Sequence, residues 1–106
     1  MVVIDEKLLD TFRGPGLCGV CGRYCRRREP HHHKPRGHGA GSRLDIPENL
    51  IAVGSAFDCG CHVRIENGNV ARKFVLAKIA ARLGKTPEEC WQRICDVLRE
   101  PKQHTC

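Results

Sequence analysis

Three pieces of this 106-residue chain hold side chains whose types and spacing suit metal-assisted acid–base chemistry. They are His31-His32-His33-Lys34-Pro35-Arg36-Gly37, Pro47-Glu48-Asn49-Leu50-Ile51 and Gly60-Cys61-His62-Val63-Arg64-Ile65-Glu66. Imidazole titrates near neutral pH and is the commonest nitrogen ligand for a metal. A histidine that takes a proton from water, beside others that hold a cation, is the equipment for cleaving a phosphodiester. Three histidines in a row also occur in tag remnants and in nonspecific metal-binding tracts. Here the run is internal, short and followed by Lys-Pro-Arg-Gly, which argues against both. Glu66 stands four residues after His62, so a helix would bring both to one face, with Glu66 either a third ligand or a surface carboxylate beside Arg64 or Lys73.

A second set of candidate ligands is sulfur. Cys18-Gly19-Val20-Cys21-Gly22 reads as a knuckle whose turn aims two thiolates at one ion, glycine accepting the unusual backbone angles. Cys59-Gly60-Cys61 supplies a second half-site. Four thiolates around one zinc would clamp the ends of the intervening segment and contribute folding energy directly. The preferred set is Cys18, Cys21, Cys59 and Cys61, with Cys25 a rival for one position. A redox role for the CxxC is disfavoured because no βαβ pattern surrounds it. Cys90 and Cys95 read as core thiols, and Cys106 as a free thiol in a tail.

Bulk properties limit the partners. The net charge is +6, and residues 13–43 alone carry an excess of +7, whereas residues 1–12 and 44–66 are acidic at −2 and −3. A concentrated basic segment beside histidines suggests a polyanion, with nucleic acid first among them. The chain has only five aromatic residues, so its core is thin and a metal staple is expected. Its opening, Met1-Val2-Val3-Ile4-Asp5-Glu6, lacks the pattern of a signal peptide, and no apolar run approaches the ~20 residues of a membrane span. A reducing, cytoplasmic setting with no membrane partner is expected, where clustered cysteines bind metal more often than they pair.

The elements that must position these residues can be read in order. Val3, Ile4, Leu8, Leu9 and Phe12 predict a short amphipathic helix or ordered arm, ended by Arg13-Gly14-Pro15-Gly16. Gly37, Gly39 and Gly41 predict a flexible loop, with His38 solvated within it. Asn49 to Val53 reads as a short buried strand, and His62 to Glu66 as a short helix stopped by Asn67-Gly68. Leu76, Ile79, Ala80 and Leu83 repeat at helical spacing, and Gly84 closes that helix. Thr86-Pro87-Glu88-Glu89 is a helix start with a capping box, followed by Trp91, Ile94, Cys95 and Leu98 before Pro101. The two helices predict a hairpin.

Taken together, the leading CxxC, His31-His32, Pro35, the glycine loop, Pro47-Glu48-Asn49-Leu50-Ile51 and Gly60-Cys61-His62 resemble an HNH endonuclease. The similarity is to the small zinc-bearing type common in bacteriophages, and it spans roughly residues 13–72. It implies an α+β chain: a small ββα-metal domain with a structural zinc site, core 13–72 within 1–72, followed by a C-terminal helical hairpin and tail over 73–106. Family roles carry over residue by residue. The base stands three residues before the motif's proline, hence His32, and the ligand just before it is His31. His33 is a bystander. Asn49 matches the asparagine that fixes the loop and orients the base. His62 matches the second ligand, and Glu66 stands where some relatives have a metal-binding histidine. Gly54, however, sits where a cysteine is common.

The resemblance implies a metal-dependent DNA endonuclease with one catalytic divalent cation (Mg²⁺, Mn²⁺, Ni²⁺ or Zn²⁺) and one structural Zn²⁺, leaving 5′-phosphate and 3′-hydroxyl ends. Arg26, Arg27, Arg28, Lys34, Arg36 and Arg43 are the expected phosphate contacts. Two other readings compete. One is a non-catalytic, zinc-stapled nucleic-acid-binding module. The other is an accessory factor in phage DNA packaging whose helical hairpin docks on terminase proteins.

Overall fold

In the computed structural model, which describes residues 3–34 and 44–99, the chain is a mixed α+β structure. A three-stranded antiparallel sheet of order β1-β2-β3 carries four α-helices. The elements run α1 (Glu6–Asp10), β1 (Gly14–Leu17), β2 (Tyr24–His32), a 3-10 turn (Pro47–Asn49), β3 (Leu50–Gly54), α2 (Cys61–Glu66), α3 (Arg72–Leu83) and α4 (Pro87–Arg99). No helix of the described residues is long and apolar enough to cross a membrane. The glycine loop with His38, Pro35, Arg36 and Arg43, and the tail with Pro101 and Cys106, lie outside the described residues.

The continuous apolar run of β3 follows from its position. Every residue from Leu50 to Gly54 is buried, although the strand lies at one side of the sheet. Side chains alternate between faces along a strand, and here both faces are covered. Leu50 and Ala52 pack with Leu9 and Phe12 from the N-terminal arm. Ile51 and Val53 join Cys18, Cys25, Cys61, Val75, Ile79 and Cys90 in the main core. Burying side chains such as Leu50, Ile51 and Val53 is worth about 1.5–3 kcal/mol each. The helical hairpin therefore shares its core with the sheet. Its second helix covers a separate cluster, Leu44, Ile46 and Ile94, flanked by Trp91.

The predicted helix punctuation is present. Thr86 and Glu89 form the capping box, with the Thr86 N–H donating to Glu89 Oε1 at 2.8 Å and the Glu89 N–H to Thr86 Oγ1 at 3.1 Å. Gly84 closes α3 at φ +69°. Two features differ from the sequence reading. Gly14-Pro15-Gly16, expected only to break structure, forms the edge strand β1, with a register irregularity between Gly14 and Gly16. An edge tolerates proline because one side of the strand needs no ladder hydrogen bonds. Arg28, expected at phosphate, turns its guanidinium onto this edge and donates from Nε to the Gly14 carbonyl at 3.1 Å.

Helix α3 also clamps the turn that precedes β3. Arg82 donates to the carbonyls of Leu50 and Pro47, each at 2.7 Å, and stacks 5.0 Å over the Phe12 ring. Lys85 Nζ reaches Glu48 Oε2 at 2.6 Å. The turn carrying Asn49 is thus held by Arg82 of α3 and by Lys85 just past its Gly84 cap.

Two candidate metal centres

The sulfur centre is assembled from two segments. The Cys18–Gly22 knuckle closes by the Gly22 N–H donating to the Cys18 carbonyl at 2.9 Å, and Gly22 takes φ +77°. Cys59 arrives on the turn before α2, and Cys61 is the first residue of that helix. The four sulfurs of Cys18, Cys21, Cys59 and Cys61 lie within 4.8 Å of one another, close enough to hold a metal ion. Crowded thiols cannot all ionise without a cation. Burial works against ionisation of Cys59, but the Cys61 backbone N–H and the surrounding thiols outweigh it and hold Cys59 down to about 6. Burial and Cys59 push Cys61 up, and burial raises Cys21. A divalent ion would remove that conflict, since a coordinating thiol loses its proton outright. Cys25 is completely buried with its sulfur 3.6 Å from Cys59, outside the set of four.

Gly54 fits this centre. A Cβ there would stand 2.3 Å from Cys59 Sγ and 2.7 Å from Cys25 Sγ. The space a side chain would need is taken by Cys59, which folds back over the end of β3.

The second centre lies where β2 meets α2. His31, His62 and Glu66 each offer a ligand atom within 4.8 Å of the other two. The imidazole rings of His31 and His62 meet edge-on at 5.4 Å, and His62 Nε2 lies 3.3 Å from Glu66 Oε2. Burial, and then the positive potential of His62, hold His31 down to about 4, so it is a neutral lone-pair donor at neutral pH. Glu29 lies 2.6 Å from His62 Nδ1. A carboxylate behind Nδ1 orients the ring and leaves Nε2, on the side of Glu66, as the nitrogen placed to meet a cation. Sequence reading passed over Glu29, yet it stands two residues before His31 on one strand and so shares its face.

Asn49 ties off the glycine loop. Its side chain is completely buried, its Oδ1 accepts the Lys34 N–H at 2.7 Å, and its Nδ2 donates to the Leu44 carbonyl at 2.9 Å. The Asn49 carbonyl accepts the His33 N–H at 2.8 Å. The loop enters and leaves through one amide. The His32 ring is held elsewhere, with Nε2 2.8 Å from Oδ1 of Asp45, whose side chain is fully buried. Asp45, too, escaped the sequence reading, its one signal being that it borders the loop.

His31 and His32 alternate across the pleat, paired with Ile51 and Leu50 respectively. His31 therefore turns toward α2 and His32 toward Asp45. Because β2 ends at His32, both rings still line one cavity of about 320 Å³ with His33, Ile65, Glu66, Arg72 and Val75. His33, expected to be a bystander to the chemistry, is a buried residue. It is 7 % exposed, its ring meets Trp91 edge-on at 6.0 Å, and burial holds it down to about 4.

Of the basic residues, Arg26 and Arg27 are exposed and flank Phe57, which is 88 % exposed. Asp58 fixes this corner by accepting the Arg26 and Arg27 backbone N–H groups, both at 3.0 Å. Comparison with known proteins returns no family model, no curated protein and no solved structure that matches the chain.

Proposed function

We propose that this protein is an HNH-type, metal-dependent DNA endonuclease with the ββα-metal arrangement formed by β2, β3 and α2. The observation that carries the reading is that His31, His62 and Glu66 bring ligand atoms within 4.8 Å of one another, while His31 and Glu66 share a cavity with His32. Two imidazoles and one carboxylate, with Glu29 behind His62, suit a divalent cation and leave coordination positions open. Such a cation, when bound, stabilises charge on the phosphate and on the departing 3′ oxygen. His32 accepts the proton of the attacking water. Asn49 keeps the chain ends of the loop together, so that β2 presents His31 and His32 in fixed register. Arg72, which lines the cavity and donates to the His33 carbonyl at 3.3 Å, is a further cation near the scissile phosphate. Arg26, Arg27 and Lys34, with Arg36 and Arg43 of the loop, supply phosphate contacts whose strength falls with salt.

The sulfur centre is a separate structural site for zinc in this reading. It fastens the knuckle to the N-terminus of α2, directly before His62.

The test is nicking of supercoiled plasmid in Mg²⁺, Mn²⁺, Ni²⁺ and Zn²⁺, with His32→Ala as control. Cleavage should need a divalent ion and disappear in the variant while its circular dichroism stays unchanged. Equal nicking by His32→Ala would refute the mechanism. Tight DNA binding, one firmly held zinc and no cleavage with any ion would favour the non-catalytic binding module instead.

A further inference from the structure

We propose that Asp45 is a positioning residue for the site: it holds His32 as the Nε2–H tautomer and so makes Nδ1 the nitrogen that takes the proton from water. The inference rests on the reading of His32 as the base and adds which atom acts and what selects it. A carboxylate with no exposed surface is costly unless its oxygens are hydrogen-bonded. Asp45 meets that condition with His32 on Oδ1 and the Asp5 backbone N–H on Oδ2, both at 2.8 Å.

The N-terminal arm fixes the carboxylate in turn. The Asp45 N–H donates to the Val3 carbonyl at 2.8 Å, and Val3 and Leu44 form a parallel bridge. Asp5 also caps α1, its Oδ1 accepting the Leu8 N–H at 3.0 Å. Leu9 and Phe12 of the same arm pack on Leu50, the cross-strand partner of His32. The arm and the base therefore occupy one face of the sheet, with Asp45 joining them.

The chemistry follows from the donor inventory. A neutral imidazole has one N–H and one lone pair, so committing the N–H to Asp45 leaves the lone pair on Nδ1. Water gives its proton to Nδ1 while the O–H electron pair becomes the new oxygen–phosphorus bond. The pair of the broken phosphorus–O3′ bond leaves with the 3′ oxygen, which takes a proton from solvent. The imidazolium formed meanwhile lies against the Asp45 carboxylate, which stabilises it without accepting the proton.

Asp45→Asn separates this role from simple packing. The Asp5 N–H is a fixed donor and keeps the amide oxygen on its own side. The amide NH2 then faces His32 Nε2, which must accept, and the ring proton moves to Nδ1. The variant should fold, hold its cation and bind plasmid with unchanged KM, while kcat falls about 100-fold or more, the scale of a lost general base. Long-range proton–nitrogen correlation spectra of labelled His32 should read Nε2–H in the wild-type protein and Nδ1–H in the variant. An Nδ1–H pattern in the wild type, or a kcat for Asp45→Asn within a few fold of wild type, would overturn the proposal. If Asp45→Asn does not fold, the wild-type spectrum together with Asp45→Ala decides: the proposal requires the two tautomers to become mixed in that variant, and an unchanged Nε2–H pattern overturns it. Failure of the nuclease reading would look different, since the wild-type protein would then cleave nothing while the spectra still report the tautomer.

Discussion

Replacing Gly54 by alanine should lower both stability and zinc content, against what strand propensity alone predicts. Glycine inside a strand is normally worse than alanine by about 0.5–1 kcal/mol. Gly54 has no positive φ among the described glycines, so no backbone strain offsets that gain. The tertiary surroundings reverse the sign. The new Cβ would stand 2.3 Å from Cys59 Sγ and 2.7 Å from Cys25 Sγ, while ordinary contact begins at 3.4 Å. Cys59 must therefore retreat by about 1.1 Å and Cys25 by about 0.7 Å. Metal–ligand distances tolerate only about 0.2 Å. Overpacking costs about 1–3 kcal/mol, which for a domain of this size lowers the melting temperature by roughly 5–15 °C. The assay is thermal unfolding paired with metal analysis of the purified protein. Gly22→Ala is the control: Gly22 has φ +77° but nothing within 4 Å of a Cβ. That variant should lose about 1 kcal/mol to backbone strain yet keep its zinc. A Gly54→Ala protein that melts at or above wild type with full zinc would refute the reasoning.

Other perturbations read other parts of the molecule. Asn49→Ala strands the Lys34 N–H and the Leu44 carbonyl, and at about 1–3 kcal/mol per orphaned group it should cost roughly 2–6 kcal/mol in urea unfolding. Burial holds His33 down to about 4 from 6.5, so the unfolded chain binds the extra proton. Stability from this group is complete above pH 6.5 and disappears as pH falls toward 4, on the order of 3 kcal/mol in all. His33→Phe should flatten that part of the pH–stability curve, and an unchanged slope would count against it. Arg26→Ala and Arg27→Ala should each weaken binding to duplex DNA and reduce the slope of log affinity against log salt by about 1, measured by fluorescence anisotropy. Unchanged slopes would remove that surface from the proposed interface.

Local patterns were legible wherever one residue's chemistry fixes its own backbone. The Thr86–Glu89 capping box, the Gly84 stop, the Gly22 turn and the short helix starting near His62 depend on neighbours within four residues, and each is in place. The ligand sets were legible for a related reason, because thiols and imidazoles are scarce and their spacing limits how they can converge. Strand β1 was hidden because its sequence, Gly-Pro-Gly-Leu, has no strand propensity and exists only by pairing with β2. The burial of His33 could not be read until Trp91 of α4 arrived from 58 positions further along the chain.

The sequence alone determined the inventory: four sulfurs in two close pairs, histidines at fixed steps from a proline, and helices with their own stop signals. Glu29 came to share the face of His31 only once β2 had formed, since a strand repeats every two residues. What only tertiary structure decided is which groups orient the donors. Asp45 reaches His32 across 13 positions, Glu29 reaches His62 across 33, and Arg82 reaches Leu50 across 32. Such contacts leave no periodic trace, because a buried carboxylate or guanidinium is specified by the partner it meets after the chain has closed. Gly54 shows the same division: it reads as a missing ligand in the sequence, and in the fold it is the space that Cys59 fills.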